Sequence, residues 1–414
     1  MKVQKILLFL LSLSAGLPLF AQSFGSYSGS IDVLGQKLEL IFNLRPNDDG
    51  TTLGTLDVPA QGAHGIPVTV TTNTGDALVV DMSELMAKFE GKPEGESRVS
   101  GTFTQMGQPF PLVLEKVTAP RIVNRPQTPK APFPYLTKEV IIPGKEEGVS
   151  LAGTISYPMN NDPVMTPTLV VMVTGSGAQN RDEELFEHKP FAVLADYLAR
   201  EGVATLRYDD RGVGKSKGYA EGMTTRDIAR DAEAVMEYAR GLGEFESVGI
   251  LGHSEGGTVA FMLGSKSLPD FVISLAGPGE KGDKIFTDQL NSVSEAVGRT
   301  ERITVEQGRQ MALSENSPWL NFFIDYDPLE DIRGTKVSVL ALNGEKDMQV
   351  FYPGNLDAIR SNLPKNPKTL VKSYPGLNHL FQHSDTGSPN EYYLIEETIS
   401  LEVLEDITAW IKSL

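Results

Sequence analysis

The chain has 414 residues, 40% hydrophobic and 22% charged, which is enough for more than one domain with a sizeable core and too apolar for global disorder. A formal net charge of −17, with no Lys/Arg cluster to offset it, argues against nucleic acid and anionic membrane surfaces as partners. There is no cysteine, which excludes disulfides, thiolate metal sites and a cysteine nucleophile.

Residues 1–21 have the pattern of a secretory signal peptide: Lys2 and Lys5 make a charged start, residues 6–13 are apolar, and Phe20-Ala21 ends the segment before Gln22. Ser12, Ser14 and Pro18 interrupt the apolar stretch, and no later segment has ~18 continuous apolar residues. The expectation is an exported protein, periplasmic or secreted, without stable membrane insertion.

Residues 23–118 read as a small all-β accessory domain, a sheet or barrel. Apolar residues alternate with polar ones at Tyr27, Ile31 and Val33 and again at Leu38, Leu40, Phe42 and Leu44, between Gly and Asn punctuation. Only residues 83–89 have a helical look, and His64 falls in a Gly-rich stretch that reads as a loop. No convergent titratable set marks this domain for chemistry. Residues 119–134 carry Pro120, Pro126, Pro129, Pro132 and Pro134, which read as an extended interdomain linker.

Residues 135–414 change to strands alternating with helices. Strands are expected at 140–142, 151–156, 168–173, 203–208, 248–251, 271–275, 337–342 and 370–373. Residues 225–240 carry Ile228, Ala232, Val235, Met236 and Ala239 at helical spacing, and residues 396–411 read as a closing helix. The implied class is α/β, a mostly parallel eight-stranded sheet with helices on both faces. Residues 279–333, helical at 284–297 and 304–313, interrupt the alternation and read as a lid over the carboxyl ends of the strands. Its Trp319, Phe322, Phe323 and Tyr326 either line an acyl or aromatic pocket or seal the lid onto the sheet.

The centre of this region is Gly252-His253-Ser254-Glu255-Gly256-Gly257, between an apolar β-branched run and an apolar helical run. Strand, G-x-S-x-G, helix is the context of a nucleophile elbow. Gly252 and Gly256 leave out the Cβ atoms that so tight a turn cannot hold, exposing the Ser254 hydroxyl. The Glu255 N–H at the helix start then points where an oxyanion would form.

A serine hydroxyl needs a base, and the base needs an orienting carboxylate. The chain has five histidines. His64 is in the other domain, His253 flanks Ser254 on the far side of the turn, and His188 sits in a helix-leading loop. His379 and His383 remain, in a loop after the last strand, and His379 is preferred by its place in the turn. Asn343-Gly344-Glu345-Lys346-Asp347 supplies the acid, with Asp347 favoured over Glu345 by its spacing from Gly344. The order Ser, Asp, His is that of α/β-hydrolases. A second oxyanion donor is expected from Thr174-Gly175-Ser176-Gly177-Ala178, from Ser176 or Gly177, with Ser176 favoured. That loop lacks the Gly-Lys-Ser/Thr ending of a P-loop, which argues against nucleotide. The acids of Asp209-Asp210-Arg211-Gly212-Val213-Gly214-Lys215-Ser216 lack a third ligand for metal and read as an ion-paired turn. No metal or organic cofactor is implied.

Residues 135–414 resemble the α/β-hydrolase superfamily, and more narrowly the bacterial carboxylesterases and serine-aminopeptidase-like hydrolases. The resemblance rests on Gly-Ser-Gly-x-x-x-Arg-Asp from Gly175, Asp-x-Arg-Gly-x-Gly-x-Ser from Asp209, Gly-His-Ser-x-Gly-Gly from Gly252 and Asn-Gly-x-x-Asp-x-Gln-Val from Asn343. It implies Ser254 as nucleophile, Asp347 as acid, His379 as base, and an oxyanion site from Ser176 and Glu255. Thr174-Gly175 stands where many relatives have His-Gly. The N-terminal β domain is similar to accessory domains fused to some exported relatives.

The reaction expected is acyl transfer through an acyl-enzyme, on a carboxylic ester of small acyl or aromatic acids, by analogy also glycan-linked. The alternative is a serine aminopeptidase or dipeptidyl-type peptidase, for which Glu183 and Glu184 offer acids to anchor a substrate amine. A third reading is a ligand-binding β domain with an auxiliary hydrolase.

Overall fold

In the computed structural model, residues 22–33, 36–47, 50–61, 63–117, 124–159, 168–296 and 300–414 are described. The signal-peptide expectation for residues 1–21 and the start of the Pro-rich linker therefore lie outside the described residues. Two compact units divide the chain.

Period-two alternation builds the first unit. Strands β1 (Gly25–Val33), β2 (Gln36–Pro46), β3 (Thr52–Val58), β4 (Ala63–Asn73), β5 (Leu78–Met82), β6 (Ala87–Pro93), β7 (Arg98–Gln105) and β8 (Gln108–Val117) form a closed barrel. The closing pair is antiparallel, with Tyr27 opposite Lys116. Tyr27, Phe42, Leu56, Val80, Phe89 and Leu114 fill the interior. Closure leaves no edge strand to recruit another chain. The helical look of residues 83–89 was misleading. Only Ser83–Leu85 make a 3₁₀ turn, which Met86 ends in a left-handed conformation. Ala87 and Phe89 then face inward and Lys88 and Glu90 outward, the pattern of a strand. His64 likewise falls within β4 and not in a loop.

The second unit is a single sheet with a helical layer on each face. Its elements are β9 (Leu136–Pro143), β10 (Ser150–Tyr157), β11 (Leu169–Val173), α1 (Pro190–Arg200), β12 (Ala204–Tyr208), α2 (Thr225–Gly241), β13 (Val248–His253), α3 (Glu255–Ser265) and β14 (Phe271–Leu275). There follow α4 (Gly282–Ala296), α5 (Val305–Ser314), α6 (Pro318–Asp325), α7 (Leu329–Gly334), β15 (Ser338–Gly344), α8 (Gly354–Asn362), β16 (Leu370–Tyr374) and α9 (Leu401–Lys412). The strand order is β16-β15-β14-β13-β11-β12-β10-β9, parallel except where β10 pairs with β9 and β12. One apolar core holds α2, α3, α7 and α8 to the sheet, and the other holds α1 and α9. Both faces are covered, which is why β11, β13 and β14 are buried along their whole length.

The chain leaves β11 for α1 on one face and leaves the adjacent β13 for α3 on the other. This divergence opens a crevice at the carboxyl ends of the two strands, the usual place for a ligand in such sheets. The insertion after β14 contains α6 and α7 as well as the two helices expected. The closing helix starts at Leu401, later than its apolar pattern suggested. Just before it, the Thr398 and Ile399 N–H groups donate to Gln127 Oε1 and the Ile399 carbonyl accepts from Gln127 Nε2. Those backbone groups are satisfied outside a helix. No helix among the described residues is long and apolar enough to cross a membrane.

His188 is sealed against this last stretch. Its Nδ1 lies 3.0 Å from Thr398 Oγ1 and its Nε2 lies 2.8 Å from the Tyr392 carbonyl. Burial pushes its pKa down to about 4, so the folded protein holds the neutral ring. The unfolded chain takes up a proton near pH 6.5, so this contribution is complete above that value and is lost as pH falls towards 4. The loss expected is about 3 kcal/mol. Denaturant midpoints between pH 7 and 4 check it: His188→Gln should flatten the acid slope, and an unchanged slope would disprove the assignment.

Candidate active site

The elbow is shaped by backbone crowding. A Cβ on Gly252 would lie 1.8 Å from the Gly256 carbonyl oxygen, and one on Gly256 would lie 2.2 Å from the Val173 carbonyl oxygen. Only glycine fits at either position. Ser254 sits between β13 and α3 at φ 53, ψ −119, a conformation that costs an L-residue about 1–3 kcal/mol. The strained turn is held by the Ser254 N–H donating to the Leu275 carbonyl at 2.9 Å and the Gly257 N–H donating to the Ser254 carbonyl at 2.8 Å. The Ser254 hydroxyl makes no hydrogen bond among the described residues.

Asp347 and His379 come from the loops after β15 and β16, which are adjacent parallel strands. His379 Nδ1 lies 2.7 Å from Asp347 Oδ2, and both residues are buried. Asp347 Oδ1 accepts from the Gln349 and Val350 N–H groups at 2.8 and 2.9 Å, which fixes the orientation of the carboxyl group. With Nδ1 committed as donor, Nε2 is the ring's acceptor. The two alternatives point elsewhere: Glu345 accepts from Ser373 Oγ, and exposed His383 pairs with Glu397.

Ser176 follows β11 beside the elbow, where a Cβ on neighbouring Gly175 would come 3.3 Å from Ser254 Cβ. The Gly175 N–H is already used, donating to Glu183 Oε1 at 2.8 Å. The Ser176 and Glu255 N–H groups donate to no backbone oxygen among the described residues. Thr174 turns its hydroxyl to Asp210.

Sequence reasoning missed the Glu183–His253 pair. Glu183 is buried with φ 52, and its Oε1 lies 2.9 Å from His253 Nδ1. His253 Nε2 lies 3.0 Å from the His379 carbonyl oxygen. Both ring nitrogens therefore face acceptors, and a neutral imidazole has one N–H only. A protonated ring would satisfy both. Burial works against its charge, but the Glu183 carboxylate, its hydrogen bond and the His379 carbonyl outweigh this and hold the pKa above the ordinary value. One ion pair thus ties together the loop after β11, the elbow and the His379 loop. The signal available was the histidine inside the elbow motif, but its partner is 70 residues away.

A cavity of about 240 Å³ opens on Ser254, walled by Ser176, Glu255, Ile285, Phe286, Trp319 and Phe323 among others. The insertion thus supplies much of the wall beside Ser254. Of the four aromatic candidates, Trp319 and Phe323 line this cavity, stacked with centroids 5.5 Å apart. Phe322 and Tyr326 do not. They stack on each other, Phe322 lies under the Arg226 guanidinium, and the Tyr326 hydroxyl donates to Asp331. Spacing alone does not separate the pairs, since 319, 322, 323 and 326 follow the i, i+3, i+4, i+7 pattern of one face, with Tyr326 just past the end of α6. Trp319 Nε1 also donates to Glu255 Oε1 at 2.8 Å, which links the insertion to the residue after Ser254.

The acidic turn after β12 is ion-paired. Asp209 holds Arg181, and Arg211 holds Asp231 and Glu146. No cluster of acids and histidines suited to a metal occurs among the described residues.

The mostly parallel eight-stranded sheet, with a positive-φ serine between β13 and α3, has the α/β-hydrolase fold. The family model described as serine aminopeptidase, S33, matches residues 187–342. Esterase EstD of Thermotoga maritima is 23% identical over 272 residues, 63% of this chain and 65% of that protein. The chain therefore spans just under two-thirds of the length of this curated relative. Among solved structures, Est1E from Butyrivibrio proteoclasticus is 17% identical with a TM-score of 0.43, over 66% of this chain and 98% of that one. A proline iminopeptidase of Mycobacterium smegmatis is 16% identical with a TM-score of 0.44, over 67% of this chain and 97% of that one.

Proposed function

We propose that the protein is a serine hydrolase acting on carboxylic esters of small acyl or aromatic acids, among them esters linked to glycans. The observation that carries this reading is the Asp347–His379 pair: it leaves Nε2 as an acceptor at the rim of the sheet that also presents Ser254. His379 takes the Ser254 proton, the hydroxyl oxygen attacks the ester carbonyl, and the Ser176 and Glu255 N–H groups receive the oxyanion. The tetrahedral intermediate expels the alkoxide, which takes its proton from His379. Water, deprotonated by the same ring, then releases the acid and restores Ser254.

Similarity to an esterase favours esters over peptides. Of the acids offered as anchors for a substrate amine, Glu184 pairs with Lys189, and Glu183 is engaged as well. Its Oε1 is already taken by Gly175 and His253.

A fluorophosphonate probe should label the protein at Ser254 alone, and para-nitrophenyl acetate should be hydrolysed far faster than alanine para-nitroanilide. Labelling at another serine, or anilide turnover matching the ester, would refute the reading. The cavity beside Ser254 is read as the acyl pocket. Phe323→Ala, by enlarging it, should raise kcat/KM for para-nitrophenyl hexanoate relative to acetate by about tenfold. An unchanged ratio would place the acyl chain elsewhere.

A further inference from the structure

A second cavity, of about 260 Å³, lies on the other side of Trp319 and is lined by Tyr208, Asp210, Met223, Ile228 and Pro318 among others. It shares the Trp319 indole with the Ser254 cavity. Gly177 and Ala178 border it, directly following Ser176 along the loop. Two of its polar groups are unlike their neighbours. Asp209 and Asp231 are each paired with an arginine, whereas Asp210 meets only neutral donors, Thr174 Oγ1 at 3.2 Å and the Gln179 N–H at 2.8 Å. Tyr208 is 2% exposed, and its phenol oxygen has no hydrogen-bond partner among the described residues. A buried phenol without a partner costs about 1–3 kcal/mol.

The chemistry of these two groups selects among ligands. Burial pushes the Asp210 pKa up to about 7, so near neutral pH it is present as both acid and carboxylate, and the carboxylate would repel an anion. An ammonium would satisfy the carboxylate but give the Tyr208 proton no acceptor. A hydroxyl satisfies both, accepting from the phenol and donating to the carboxylate. We infer that this cavity is a subsite for a hydroxyl group carried by the ester substrate, held between Tyr208 and Asp210, with Met223, Ile228 and Trp319 packing its carbon chain. The inference rests on the reading of Ser254 as the nucleophile. The hydroxyl can belong to the acyl chain or to the alcohol, and the test separates the two.

The acyl arm compares para-nitrophenyl ω-hydroxyhexanoate with para-nitrophenyl hexanoate. The alcohol arm compares ω-hydroxyhexyl acetate with hexyl acetate. In one arm the wild-type protein should favour the hydroxylated ester by about tenfold or more in kcat/KM. Tyr208→Phe should remove most of that preference while leaving the plain ester within about twofold, and Asp210→Asn should weaken it in the same arm. Met223→Phe, which fills the cavity from another wall, should abolish the preference even if the Tyr208 variant is unstable. Equal rates in both arms, or a preference that survives both Tyr208→Phe and Met223→Phe, would overturn the subsite while fluorophosphonate labelling still upheld the hydrolase. Loss of labelling and of all ester turnover would overturn both.

Discussion

Ser254→Ala is expected to lower kcat for para-nitrophenyl acetate by about five to six orders of magnitude and to abolish fluorophosphonate labelling. The variant should fold, since the Ser254 hydroxyl supports no hydrogen bond among the described residues and the turn is held by its backbone. His379→Ala should cost as much, and the double variant little more than either, because the proposed nucleophile and base act as a unit. Asp347→Asn tests the orientation of the ring. The asparagine carbonyl can still accept from the Gln349 and Val350 N–H groups, but its amide then faces His379 Nδ1. That favours the tautomer protonated on Nε2, which cannot take the serine proton, and kcat should fall by about 10⁴ with the fold intact. Circular dichroism and kcat measured together check this. If Ser254→Ala kept more than about 1% of wild-type kcat with no contaminating esterase, the mechanism would be wrong.

The second large effect concerns the buried Glu183–His253 pair. Glu183→Ala should destabilise the protein by about 3–5 kcal/mol, because it strands a buried imidazolium and the Gly175 N–H together. Glu183→Gln separates the two losses. Its amide oxygen can still receive the Gly175 N–H, but the negative charge that holds the proton on His253 is gone. Because the folded-state pKa of His253 is raised, its contribution is complete below pH 6.5 and is lost as pH rises through the raised value. With His188 acting in the opposite direction on the acid side, stability should peak near neutrality. In Glu183→Gln the alkaline decline should shrink and the acid decline remain. The alkaline limb of the kcat/KM profile should move as well, since the His379 carbonyl loses its charged donor. Unfolding curves from pH 6 to 9 decide the matter: an alkaline slope identical to wild type would mean that His253 is neutral in the folded state.

Short-range rules made much of this molecule legible before any coordinates. Period-two alternation marked the barrel and continuous apolar runs marked the buried strands, because side-chain direction repeats within a few residues. The elbow was legible for the same reason: Gly252 and Gly256 answer to backbone atoms that crowd one turn. Local pattern failed where a segment's partners lie far along the chain. Residues 396–400 read as helix because nothing near them reveals that Gln127 takes their backbone hydrogen bonds. For Trp319, Phe322, Phe323 and Tyr326 the choice between lining a pocket and sealing the lid stayed open, because local spacing does not tell which of them the distant Arg226 covers and which meet the cavity.

The chain by itself determined its class of fold and a short set of candidate side chains, since strand periodicity and turn sterics are local. Only the tertiary structure decided which acid meets which histidine, that Glu183 meets His253, and that a buried phenol and a carboxyl group with neutral partners line a second cavity. Those depend on hydrogen bonds and electrostatics acting over a few ångströms between residues tens of positions apart, and only the folded chain brings such groups within range.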